Sequence, residues 1–192
     1  MAWDLDPNHT SVSFSAKHLG LATVRGLFTK VSGDVELDDP NDPTTARGTV
    51  TIDAASLNTG NEQRDIHLRS KDFLDVENFP AITFTANSVE HLGDDQYKVD
   101  GELTVRGQTR PISLTYEHGG TAADPFGNTK VGGSLTGSIN RSDFGLTWNV
   151  PLGNGGLLVG DKIKLEIDGQ LVETKEAAAV SAEAEAEASR AS

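Results

Sequence analysis

Apolar and polar residues alternate with a period of two along most of this chain, as they do in strands with one buried face. The first run sets Val12, Phe14, Ala16 and His18 against Ser11, Ser13, Ser15 and Lys17. A second covers residues 23–38, and a slip of phase between Phe28 and Val31 predicts a bulge there. Val50 and Ile52 mark a third strand; Ile82, Phe84 and Ala86 mark a fourth. The fifth is the most regular, with Tyr97, Val99, Gly101, Leu103 and Val105 alternating with Lys98, Asp100, Glu102, Thr104 and Arg106. Ile112, Leu114 and Tyr116 give the sixth, Gly133, Leu135, Gly137 and Ile139 the seventh, and Ile163, Leu165 and Ile167 the eighth. The links between them are short and rich in turn residues, as at 39–43, 92–95 and 153–156, which favours antiparallel neighbours. The pattern predicts an all-β fold of eight antiparallel strands, about the number that closes into a barrel around one small ligand. A sandwich with a filled core is the alternative.

The inward face repeatedly drops to a small residue: Ala16, Gly26, Ala86, Gly101, Gly133 and Gly137. Small inner-wall residues leave the middle of a barrel unfilled, and the reading is therefore a ligand cavity, although glycine also marks tight coiling. One segment breaks the β pattern. Thr59 followed by Glu62 fits a capping box and predicts a short helix near residues 60–69, with Ile66 and Phe73 turned inward as plug or lid.

Composition narrows the function classes. The 192 residues suit one domain over 1–175, followed by an Ala/Glu-rich stretch, 176–192, expected to be a disordered acidic tail. A formal net charge of −13 argues against nucleic acid and against electrostatic attraction to anionic lipid. No cysteine is present, so disulfides and thiolate chemistry are excluded. No run approaches the roughly 20 apolar residues of a membrane-spanning helix. The start of the chain shows no secretory leader, so a cytoplasmic location is expected.

No catalytic constellation stands out. None of His9, His18, His67, His91 and His118 lies three to five residues from another, so no metal and no cofactor are expected. Arg64, Asp65 and His67 suggest a base with its orienting carboxylate. Residues two apart on a helix do not share a face, however, and a structural Arg–Asp pair is the plainer reading. Arg141 falls in the inward phase with Leu135 and Ile139, where it needs a carboxylate such as Asp65 or the anionic head of a ligand. Asn8 and His9 open the first strand as rim candidates. Trp3 and Trp148 read as barrel-end plugs or interface residues.

The ordered blocks of the chain resemble the YceI-like family. They begin with Trp3-x-Leu5-Asp6-x-x-His9-Thr10-x-Val12-x-Phe14 and continue through Asn58-Thr59-Gly60-Asn61-x-x-Arg64-Asp65-x-His67-Leu68-Arg69-Ser70-x-Asp72-Phe73. Phe79-Pro80-x-Ile82, Gly101-x-Leu103-Thr104-x-Arg106-Gly107, Ile139-Asn140-Arg141-x-Asp143-Phe144 and Val159-Gly160-Asp161 follow in order. The resemblance implies an extended lipocalin-like barrel, often a homodimer and often periplasmic, whose lumen holds a long-chain isoprenoid such as a polyprenyl diphosphate or a quinone. Phe14, Ala16, His18, Phe28, Phe73, Phe84, Leu103, Leu135 and Phe144 are then expected to line the lumen. Asn8, His9, Arg64, His67 and Arg141 would form its polar end. The expected role is non-catalytic binding, transport or storage. An enzyme acting on such a lipid through His67 and Asp65, or a filled barrel serving as a dimerising module, are the alternatives.

Overall fold

A computed structural model describes residues 2–153 and 155–174. The expected acidic tail over 176–192, and the domain boundary at 175, lie outside the described residues. In chain order the strands are β1 (Ala2–Leu5), β2 (Ser11–His18), β3 (Ala22–Phe28), β4 (Val31–Glu36), β5 (Arg47–Asp53) and β6 (Leu57–Asn58). After the helix α1 (Glu62–Arg69) come β7 (Ala81–Gly93), β8 (Gln96–Val105), β9 (Gln108–Ala123), β10 (Thr129–Asn140) and β11 (Val159–Glu173).

These strands form a closed eight-stranded antiparallel barrel because two of its staves are each broken in two. The long strand β11 pairs with β2 through residues 159–168 and with β1 through 171–173. Across from them, β3 pairs with β2 and β4 pairs with β1. The order continues β4-β5-β7-β8-β9-β10-β11, which closes the ring. The slip between Phe28 and Val31 is thus a corner and not the bulge predicted from the sequence. There the amides of Thr29 and Lys30 leave the ladder and donate to Ser56 Oγ, each at 3.1 Å. The sandwich alternative does not hold.

The helix is held by polar bonds more than by an apolar face. Its N-cap is Asn61, whose side chain accepts from the Arg64 N–H at 3.0 Å, and not Thr59 as the capping-box pattern suggested. Thr59 instead donates its N–H and its hydroxyl to the buried Asp65 carboxylate. The same hydroxyl oxygen accepts from Arg64 Nε at 2.7 Å. Ile66, expected to turn inward, is 60% exposed, whereas Phe73 is buried. Arg69 anchors the last turn by donating to the carbonyls of Ala55 (2.8 Å) and Leu57.

The glycines of the inner face are not gaps. A Cβ at residue 26 would lie 2.5 Å from Phe14 Cζ, because the Phe14 ring lies over the glycine directly across the ladder. At Gly101 the Phe84 ring stands in the same way, 2.6 Å from where a Cβ would be, with Thr85 O at 2.4 Å. Gly133 and Gly137 are covered by Tyr116 and Leu114. Each glycine admits a neighbouring large side chain against the wall, an arrangement that favours strand pairing and removes exposed backbone. The emptiness inferred from small residues therefore arises elsewhere, from the bore of the barrel itself.

Candidate functional site

The barrel encloses a cavity of about 550 Å³, within the ~300–1,000 Å³ of small-molecule sites. Its wall draws on every long strand and on α1, and is overwhelmingly carbon. Phe14, Ala16, His18, Phe28, Phe73, Phe84, Leu103 and Leu135 line it. Phe144 does not: it is 1% exposed, buried in the core cluster with Phe73, Val105 and Leu146 that backs one end. A filled barrel is thereby ruled out.

One end, the helix end, is closed by α1 and the segment after β10. The His67 ring meets Phe73 and Trp148 edge-on, with centroids 5.0 and 4.6 Å apart. Its Nε2 pairs with Asp72 Oδ2 at 2.9 Å, and not with Asp65, whose carboxylate is taken up by Thr59. The His67–Asp65 pairing weighed from the sequence therefore does not form. Trp148 lines the cavity, whereas sequence reading placed it only as a plug or an interface residue. Its proximity to His67 across 81 positions of chain left no local signal.

Arg141 is buried at the same end, and its partners are neither Asp65 nor a free anion. It donates to four backbone carbonyls: Leu146, Trp148 (2.9 Å), Gly160 (3.1 Å) and Val159 (3.4 Å). Burial draws its pKa below the usual arginine range, with Asp161 opposing the shift. A guanidinium so surrounded is a clamp for the 146–160 segment. Arg64 is likewise occupied: besides the Thr59 hydroxyl, it donates from Nη2 to the Thr59 carbonyl at 2.9 Å. Of the expected polar end, Arg64, His67 and Arg141 reach the cavity wall. Asn8 and His9 do not. They sit in the link between β1 and β2, where His9 Nδ1 meets Asp6 Oδ2 at 2.8 Å. That bond, with Lys130 Nζ at 3.1 Å and the Asn8 N–H, holds the Asp6 carboxyl at a pKa of about 2 against the opposing effect of burial.

The far end is packed around Trp3, which is 1% exposed, lies against the lining residues Leu37 and Val131, and donates from Nε1 to the Leu37 carbonyl at 3.1 Å. Beside it the Tyr116 hydroxyl pairs with His118 Nδ1 and donates to the Gly132 carbonyl, each at 3.1 Å. Burial, with Tyr97 nearby, pushes the Tyr116 phenol up to about 12. Among the described residues no cluster of His, Asp and Glu is arranged to hold a metal ion. No helix of the described residues is long and apolar enough to cross a membrane.

Comparison with known proteins agrees with this architecture. Residues 3–171 match the YceI-like domain. UPF0312 protein SAS2572 of Staphylococcus aureus is 37% identical over 166 residues, covering 86% of this chain and 94% of that protein. The crystal structure of the Campylobacter jejuni YCEI protein superposes with a TM-score of 0.70 at 35% identity, over 83% of this chain and 90% of that one. A polyisoprenoid binding domain from Saccharophagus degradans has the same fold (TM-score 0.66, 15% identity, 90% and 98% coverage). With the match running almost the whole length of the described barrel, the chain belongs to the YceI-like family.

Proposed function

We propose that the protein is a non-catalytic carrier or store for one long-chain isoprenoid lipid with an uncharged, quinone-like head. The enclosed, carbon-lined cavity carries this reading. Every CH₂ moved from water into such a wall contributes about 0.8 kcal/mol, so a short run of isoprene units offsets the cost of ordering the chain. The polyisoprenoid binding of the Saccharophagus degradans domain, which has the same fold, supports the ligand class.

The choice of an uncharged head over a diphosphate follows from the commitments of the cations. Arg141 is saturated by carbonyls, Arg64 is spent on Thr59, and His67 faces Asp72. Arg47 is paired with Glu36, and Lys17, the one uncommitted lysine or arginine among the described lining residues, is exposed to solvent, so a desolvated diphosphate would be poorly neutralised and costly to bury. His18, half-buried on the wall, makes no side-chain hydrogen bond to another described residue and offers one polar contact suited to a carbonyl or hydroxyl.

Solvent extraction of the purified protein followed by mass spectrometry tests the reading. A stoichiometric neutral isoprenoid is the expected result, and added quinone should displace it while prenyl diphosphate should not. An empty extract from protein that also rejects both additions would overturn the carrier role. Light scattering on the same preparation reads the homodimer implied by the family resemblance.

A further inference from the structure

Beside the polar helix α1, part of the helix end of the barrel is apolar on its outside as well as its inside. Two tips stand there together. One is the turn between β2 and β3, with Leu19 42% and Leu21 81% exposed. The other is the segment between β10 and β11, with Val150 41% and Leu157 55% exposed. Hydrogen bonds join them: Leu19 N–H donates to the Leu158 carbonyl at 2.8 Å, and Leu158 N–H to the Val150 carbonyl at 3.0 Å.

The turn that displays Leu19 is an unfavourable place for leucine. Leu21 N–H closes it on the His18 carbonyl, and both Leu19 and Gly20 lie at positive φ, 57° and 71°. Such a turn prefers Asn, Asp or Gly at both central positions, and a leucine forced left-handed is strained. The strain leaves an apolar side chain in water, which points to a surface that does not stay in water.

Charge is distributed to match. From Phe144 to Gly160 there is no charged residue, and none from Leu19 to Val24, in a chain of net charge −13. Cations flank the two tips: Lys17 and Arg25 on one, Lys162 on the other. Of the two carboxylates that border the 144–160 run, Asp161 is engaged by the N–H and hydroxyl of Ser142, whereas Asp143 is exposed. At the opposite end the turns carry Asp38, Asp39, Asp42, Asp94, Asp95 and Asp124, and the exposed Leu92 and Phe126 stand among them. The helix end also carries exposed acids, Glu62, Asp72 and Glu77 on and after α1 and Asp143 after β10, but its two apolar tips are themselves uncharged and are flanked by Lys17, Arg25 and Lys162.

We propose that this end docks on a phospholipid bilayer. Leu19, Leu21, Val150 and Leu157 enter the boundary between headgroups and acyl chains while Lys17, Arg25 and Lys162 meet the lipid phosphates. Between the tips, Lys17, His18, Leu158 and Val159 line the cavity, so a docked barrel opens its bore towards the membrane. Cargo then passes between bilayer and lumen without crossing water; this use of the docking face rests on the carrier reading above.

Co-sedimentation of the full chain with phosphatidylcholine vesicles tests the docking. Wild-type protein should pellet with the vesicles, and L21D combined with L157D should weaken the association at least about tenfold, since both side chains are exposed and their loss leaves the fold intact. F126D, at the acidic end, should bind as wild type does. Wild-type protein that stays in the supernatant, or a tip variant that binds equally well, would overturn the proposal. So would a tip variant whose only change is a fall from dimer to monomer, which would assign the face to a second copy. The two readings fail separately: a lumen that yields no lipid while vesicle binding persists sinks the carrier, whereas retained cargo without vesicle binding sinks only the docking.

Discussion

The two ends of the barrel are closed by opposite means. The far end is held by packing: Trp3 lies against Leu37 and Val131 and needs one hydrogen bond to finish the job. The helix end is sealed by a polar frame around an aromatic layer. Arg141 gathers four carbonyls, Thr59 binds Arg64 to Asp65, and His67 and Trp148 lie over the cavity. A hydrophobic plug is released only by losing its whole contact area. A frame of hydrogen bonds on short segments can open locally, because each bond is exchangeable with water at a net cost of about 1 kcal/mol. The contrast teaches which end holds by buried area and which by exchangeable bonds, and on the carrier reading it predicts that the first acts as a floor and the second as a door.

The largest expected effects come from removing each seal. Trp3→Ala should cost about 3–5 kcal/mol of stability in urea denaturation and leave the rate of cargo exchange unchanged. Arg141→Met should cost about 3 kcal/mol by stranding buried carbonyls, and should speed cargo release in a stopped-flow displacement assay. Equal acceleration by both variants would erase the distinction between floor and door. A smaller effect is expected along the wall that joins the ends. Gly26→Ala drives a methyl into the Phe14 ring and should destabilise by about 1–3 kcal/mol, while pushing that ring into the bore and shortening the longest isoprenoid retained. The smallest is electrostatic. With its folded pKa held at about 2 against an ordinary 3.8, Asp6 adds stability that is complete above pH 3.8 and is lost as the pH falls towards 2. The stability gap between wild type and Asp6→Asn should therefore be present at neutral pH and close in acid, as read by thermal unfolding across that range.

The staves were legible in the sequence because strand alternation is a one-dimensional signal: β8 reads directly from Tyr97 to Val105. What depended on three-dimensional pairing was not. Ala2–Leu5 is too short for a period to show, yet it closes the ring against β11. The phase slip after Phe28 has the same sequence form whether the strand bulges or turns a corner. Thr59 fits a cap template, but Asp65 competes for its hydroxyl once burial makes that carboxylate need a donor. The candidate site divided in the same way. Alternation located the inward aromatics, while the commitments of Arg64, Arg141 and His67 lie in contacts with loop carbonyls, a hydroxyl and a carboxylate that no spacing rule reaches. Glycine misled most instructively, since the pattern marks which face a residue takes and is silent on which neighbour lies over it.

That covering of glycines by rings has a consequence for how such a barrel can change over time. The bore is set by a few side chains hinged across backbone that they do not deform, at positions such as 14, 84 and 116. Replacing one of them alters the length or girth of what fits while every strand keeps its register. Cargo preference can thus drift by single substitutions, and the scaffold need not be rebuilt for each new guest.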